Sequence, residues 1–296
     1  MAYIGRGWLS IVYFILTILI CPLAGILFVG ESRPIVYAAI CGVLILFFLT
    51  GLAHTFILAR RIPAGMQYKW YSRWYAVIPI FLLVPFSLAF GIRSFIVQPF
   101  TIPSGANIPT IVVGDYLLAS KMAYGYSEFS IPFMRGLASF SLLRIPPARG
   151  DMVIFGRPSD PSINHIMRVI GMPGDRVQMK DGILYLNDVA VKREPAGTHS
   201  NTGNDNGDSY SKVPVFRETL PGGRTYLTLD LSDDAEGDNT QIFTVPPGYY
   251  FVLGDNRDNS NDSRFSMGFV PEHYIYAKAL SVYNGTKPGF PFRTIE

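Results

Sequence analysis

Apolar positions are unevenly spread along the chain. Residues 9–29 form an uncharged run close to one bilayer thickness, and residues 35–59 form a second. A third, 74–92, lies between Arg73 and Arg93 and is interrupted by Pro79 and Pro85. A membrane helix tolerates such prolines when neighbours re-satisfy the freed backbone groups. Three runs of this kind so early in the chain exceed what a globular core needs. The pattern therefore predicts three transmembrane helices and a membrane anchor over 1–93. No small-x-small cleavage site ends the first run cleanly and a second span follows at once, so the first run is read as retained rather than as a removed leader.

The pattern changes after residue 93. "DMVIFGRP", "HIMRVIGM", "RVQMKDGILYLNDVAV", "TYLTLDL", "QIFTVPPGYYFVLG" and "HYIYAKALSVY" are short β-branched or aromatic runs bounded by Gly, Pro, Asn and Asp. Asp181-Gly182 reads as one hairpin turn and Asn187-Asp188 as the next. Residues 94–296 are thus expected to be a β-rich domain. Within it, 196–211 is polar and poor in apolar residues, and is read as a flexible surface insertion.

Charge adds an orientation. The loop after the second run carries Arg60, Arg61, Lys69 and Arg73, against a nearly neutral "GESRP" after the first, which places the basic loop in the cytoplasm and 94–296 across the membrane. Trp70, Tyr71, Trp74 and Tyr75 suit an interfacial aromatic belt. The net charge of +3 comes without a Lys/Arg stripe, so nucleic acid is not an expected partner. Cys21 and Cys41 both fall in apolar runs, which leaves the β-rich part no internal disulfide. No His/Cys/carboxylate spacing suggests a metal, and no cofactor is expected.

Three further stretches carry chemistry. They are "QPFTIPSGANIPTIVVGDYLLASKMAYGYS", "GDMVIFGRPSDPSINHIMRVIGMPGDRVQ" and "GDNRDNSNDSRFSMGFVPEHYIYAKA". In this order, after apolar runs, they resemble the type I (leader) signal peptidases of bacteria. The resemblance implies a membrane-anchored, mainly β protein: three N-terminal transmembrane helices followed by a β-rich signal-peptidase-like exported domain. It implies a multi-pass protein of the bacterial inner membrane, with the C-terminal domain on the periplasmic or outer side and an apolar face dipping into the lipid bilayer. The implied partners are signal peptides of exported preproteins with small residues at −1 and −3.

The family cuts with a serine–lysine dyad, set in "PSGSM" and "KR". Here the matching positions are Ala106 in "PSGAN" and Met167 in "IMRV", and Asn107 replaces the methionine after the serine. A methyl group cannot attack a carbonyl, and a thioether cannot take a proton at neutral pH. The resemblance gives Ser104 an oxyanion-hole role, makes Ser260, Asp262 and Arg264 supports of the base region, and places Gly254, Asp255, Asn256 and Arg257 in the loop beneath the site. Two readings follow. In one, the chain is a non-cleaving relative that binds signal peptides, with an active signal peptidase or the export machinery as a further partner. In the other, an active serine endopeptidase uses a displaced dyad of Ser104 and His165. Each lies two residues before its lost counterpart, and strand residues two apart share a face about 6.5–7 Å apart.

Overall fold

The computed structural model describes residues 74–131, 140–205, 208–284 and 293–295, together with Val12 and separate positions between 42 and 60. The chain divides into two units, Met1–Gly91 and Ile92–Glu296.

The expectation of three transmembrane helices is corrected. Among the described residues no helix is long and apolar enough to cross a membrane. The run 9–29 lies outside the described residues except for Val12, and 35–59 is described only at separate helical positions. A span needs about 20 consecutive, predominantly apolar residues on one helix. The third run coincides with helix α1 (Trp74–Phe95), which contains Pro79 and Pro85 and sets Ser87, Arg93 and Ser94 among its apolar residues. Arg93 stands in the last turn, where a cation complements the helix dipole. The multi-pass arrangement thus has no basis in the described helices. Apart from Arg60, the basic loop 60–73 lies outside them too.

The second unit is mainly β, as expected. It opens with β1 (Val97–Thr101), β2 (Tyr116–Ser120), β3 (Tyr126–Ser127) and β4 (Ser141–Leu142). Next come β5 (Met152–Arg157), β6 (Asp160–Gly171), β7 (Arg176–Lys180), β8 (Ile183–Leu186) and β9 (Val189–Ala190). A long ribbon of β10 (Lys192–Asp205) and β11 (Asp208–Thr219) follows, then β12 (Thr225–Leu229) and β13 (Phe243–Thr244). The unit closes with β14 (Tyr249–Leu253), β15 (Val270–Pro271), β16 (Ile275–Asn284) and β17 (Arg293–Thr294). The polar segment 196–211 falls in the β10–β11 ribbon.

The main sheet runs β1-β2-β16-β5-β6-β14-β15, with β17 added to β16. Strand β16 enters between β2 and β5, so a late segment joins the first hairpin to the central strands. β5 is buried on both faces. Met152 and Ile154 pack with Ile111, Leu117 and Tyr276, while Val153 and Phe155 pack with Met167, Val169 and Val252. Full burial of each such side chain contributes about 1.5–3 kcal/mol. The two predicted turns form between β7, β8 and β9. Asp181, Gly182, Asn187 and Asp188 all take positive φ, as tight two-residue hairpin turns of the I′ kind require.

Candidate functional site

The loop between β1 and β2 is pinned by apolar anchors and by its own backbone. Ile102, Ile108, Ile111 and Val112 are buried. Ile102 N donates to Asp115 O at 3.0 Å, and Ile111 N to Asn107 O at 2.9 Å. Ser104, Gly105, Ala106 and Asn107 lie on this fixed loop. Ser104 is exposed and Ala106 half-buried. Because Ser104 is not in a strand, the two-residue alternation of a sheet does not set its facing.

Two elements grip the loop from either side. Asn107 is 1% exposed, and its Nδ2 donates to Ile166 O at 2.7 Å on β6. Ile166 stands between His165 and Met167, so residues 104–107 meet β6 where the sequence placed the base. From the other side, Asn256 N donates to Ala106 O at 3.0 Å and Asn256 Nδ2 to Gly105 O at 3.1 Å. A Cβ on Gly254 would overlap Ser260 Oγ and the Ala106 carbonyl oxygen. Only glycine permits this close approach.

Met167 is 2% exposed and packs with Val153, Phe155, Val169, Val252 and Met267. Nothing at this position can accept a proton. His165, two residues earlier, pairs with Phe155 across the ladder, and the two rings lie 6.1 Å apart. Burial, followed by the Arg157 charge, pulls its pKa below 6.5 and favours neutral imidazole. Among the described residues no hydrogen bond joins Ser104 to His165.

The C-terminal loop is held by buried ion pairs. Asp262 binds Arg264 through Oδ1–Nε and Oδ2–Nη2 contacts, both 2.9 Å, and also accepts from Gly254 N at 3.2 Å. Arg264 Nη2 also donates to Arg257 O. Arg257 binds both oxygens of Glu218, at 3.1 and 2.6 Å, and donates to Tyr226 Oη at 2.9 Å. Asp262 and Arg264 therefore brace the turn that braces Ala106. Ser260 Oγ, Asn107 Oδ1 and Asn256 Oδ1 are buried polar atoms with no hydrogen-bond partner among the described residues, all on or against this loop.

Arg168 joins this site from β6. It lies fully buried directly after Met167. Its Nε and Nη2 bind the two oxygens of Asp255 at 2.8 and 2.7 Å, and Thr110 Oγ1 donates to Asp255 Oδ2 at 2.5 Å. Burial alone would lower the Arg168 pKa, but Asp255 more than offsets it and raises it. The available signal was an arginine inside the apolar run "IMRVIG", since a buried arginine demands a partner. Among the described residues no group of three or more His, Cys, Asp or Glu could hold a metal.

Comparison with known proteins bears on this arrangement. A family model described as "Signal peptidase, peptidase S26" matches residues 72–284. The signal peptidase I of Rickettsia canadensis (strain McKiel) is 44% identical over 209 residues, covering 68% of this chain and 76% of that protein. The signal peptidase I of Rickettsia prowazekii (strain Madrid E) is 41% identical over 208 residues, with the same 68% and 76% coverage. A crystal structure of a signal peptidase I from Enterococcus faecalis V583 is 27% identical and covers 45% of this chain and 97% of that one, at a TM-score of 0.27.

Proposed function

This chain belongs to the signal peptidase family, peptidase S26, and we propose that it binds the signal peptides of exported preproteins at the loop around Ala106 without cutting them. One observation carries the reading. The loop that carries position 106 is held from both sides by Asn107 and Asn256, while positions 106 and 167 hold a methyl group and a buried thioether. A serine hydroxyl needs an adjacent base to attack a carbonyl, and neither half of such a pair stands at these two positions. What remains suits binding: a fixed loop, an exposed Ser104 hydroxyl and buried polar atoms with no partner among the described residues. The ligands are signal peptides of preproteins with small residues at the −1 and −3 positions. The domain works on the export side of the bacterial plasma membrane, and the exposed Leu142, Leu143 and Ile145 support its contact with lipid.

The test uses the full chain purified in detergent. Binding of a fluorescent signal peptide is read by anisotropy, and cleavage of a preprotein by mass spectrometry. Saturable binding with no new product is the expected result. Turnover that disappears in Ser104→Ala and His165→Gln would replace this reading with the displaced dyad.

A further inference from the structure

We propose a second binding site, for a phosphate group, in a cavity at the start of β5. The cavity has a volume of about 490 Å³ and is lined by Asp151, Gly222, Gly223, Arg224, Thr225 and Lys278 among others. None of its lining residues belongs to the loop around Ala106 or to its supports.

Among the described residues its lining carries two cations against one carboxylate. Asp151 Oδ1 accepts from both Lys278 Nζ, at 2.7 Å, and Arg224 Nη1. Asp151 Oδ2 is taken by Tyr124 Oη at 2.8 Å and Ala148 N at 3.1 Å. The carboxylate is 3% exposed and its acceptor positions are filled. Burial would push its pKa up, but the bonds from Lys278, Arg224 and Tyr124 outweigh this and hold it below 3.8. Asp151 is thus one fixed negative charge serving two cations. The neighbouring Arg149 is already paired with Asp175 at 2.8 Å.

Both cations line the cavity and keep N–H donors that no hydrogen bond among the described residues uses. Their side chains are 38% exposed for Arg224 and 31% for Lys278. Arg224 spends one terminal nitrogen on Asp151 and Lys278 one bond, out of five and three N–H donors. The Arg224 stem lies so close over Gly150 that a Cβ there would overlap it, which holds the guanidinium at the cavity edge. Gly222 and Gly223 line one rim with backbone alone, and both take a positive φ that side chains rarely adopt. A guanidinium fork and an ammonium across one cavity, with one excess positive charge among the described residues, match a phosphate better than a single-point anion. The volume leaves room for a group esterified to it. The phosphate could come from a phospholipid headgroup or from a soluble phosphate.

The experiment measures the full chain in detergent with inorganic phosphate, against sodium chloride of equal ionic strength, by calorimetry. Retention on phosphatidylglycerol vesicles is measured in parallel. Arg224→Gln and Lys278→Gln each leave Asp151 one cation, and each should weaken phosphate binding about tenfold. Arg224→Lys keeps the Asp151 pair, loses the fork, and should weaken it less; it serves if Arg224→Gln does not fold. Vesicle retention that falls in these variants assigns the lipid headgroup. Phosphate binding that falls while vesicle retention is unchanged assigns a soluble phosphate. If neither phosphate binding nor vesicle retention depends on Arg224 and Lys278, the proposal is overturned.

Discussion

Met167 occupies a place where a base would have to be buried. At 2% exposure among Val153, Phe155, Val252 and Met267, an ammonium there would lose its hydration. Met167→Lys should therefore fold with its amine driven below the ordinary lysine pKa. A depressed lysine pKa penalises the charged form, so stability should fall as the pH drops below the unfolded value of about 10.4. Thermal denaturation of Met167→Lys at pH 7 and pH 9.5 should show the larger loss at pH 7. The same substitution tests the chemistry. A serine without its base gains little, because the pair acts as a unit. Ala106→Ser alone should give little turnover of a preprotein, while Ala106→Ser with Met167→Lys should give measurable cleavage. Full activity from the single change would point to a base elsewhere. At this scale the two replaced positions were legible, since residue chemistry alone says what alanine and methionine cannot do. The relation of Ser104 to His165 was not legible. It rested on strand alternation, and Ser104 sits in a loop.

The elements around the site were legible in kind and hidden in arrangement. β-branched runs marked β5 and β6, and Asp181-Gly182 and Asn187-Asp188 marked the turns between β7, β8 and β9 through the positive φ they tolerate. Nothing local in 275–284 says that β16 lies between β2 and β5, because non-local pairing is settled by tertiary packing. The buried joint between β6 and the C-terminal loop was hidden for the same reason. Arg168 and Asp255 are 0% and 1% exposed at their side chains. Asp255→Asn would leave the guanidinium without its counter-charge and should cost about 3–5 kcal/mol in chemical denaturation. The Arg176–Asp188 pair, 47% and 60% exposed, is its control. Arg176→Ala should change stability by less than about 1 kcal/mol. Equal losses from the two would mean that the Arg168–Asp255 joint does not hold the loop. Gly254→Ala tests the same joint by shape. Its methyl must displace Ser260 or the Ala106 carbonyl, and overpacking of this kind costs about 1–3 kcal/mol.

Across the whole molecule, hydropathy predicted more than the described helices support. Two of its three runs, 9–29 and 35–59, are described only at separate positions, and among the described residues no helix is long and apolar enough to cross a membrane. Charge is the other property that acts at this scale, and its effect on stability has a definite sign in each pH range. His165 has a pKa held below 6.5 by burial, so the unfolded chain binds its proton first and stability falls as pH drops below 6.5. Asp151 is held below 3.8, so its contribution is present above 3.8 and is lost as pH falls through the lower folded value. Asp258 runs the opposite way. Burial raises its pKa above 3.8, and Asp230 and Asp238 add to the rise against the backbone bonds from Leu231 and Ser232. Its Oδ2 accepts from those two N–H groups at 2.6 and 3.0 Å, while its Oδ1 is buried with no partner among the described residues. A raised carboxylate pKa means the fold is penalised at neutral pH, and the penalty disappears as pH falls through the folded value. Asp258→Asn keeps an oxygen for the two N–H groups and removes the charge. It should raise the midpoint of thermal unfolding at pH 7, and the gain should shrink toward pH 4, where the native carboxyl takes up its proton. A gain that is the same at pH 7 and pH 4 would mean that the substitution acts through packing rather than through this buried charge.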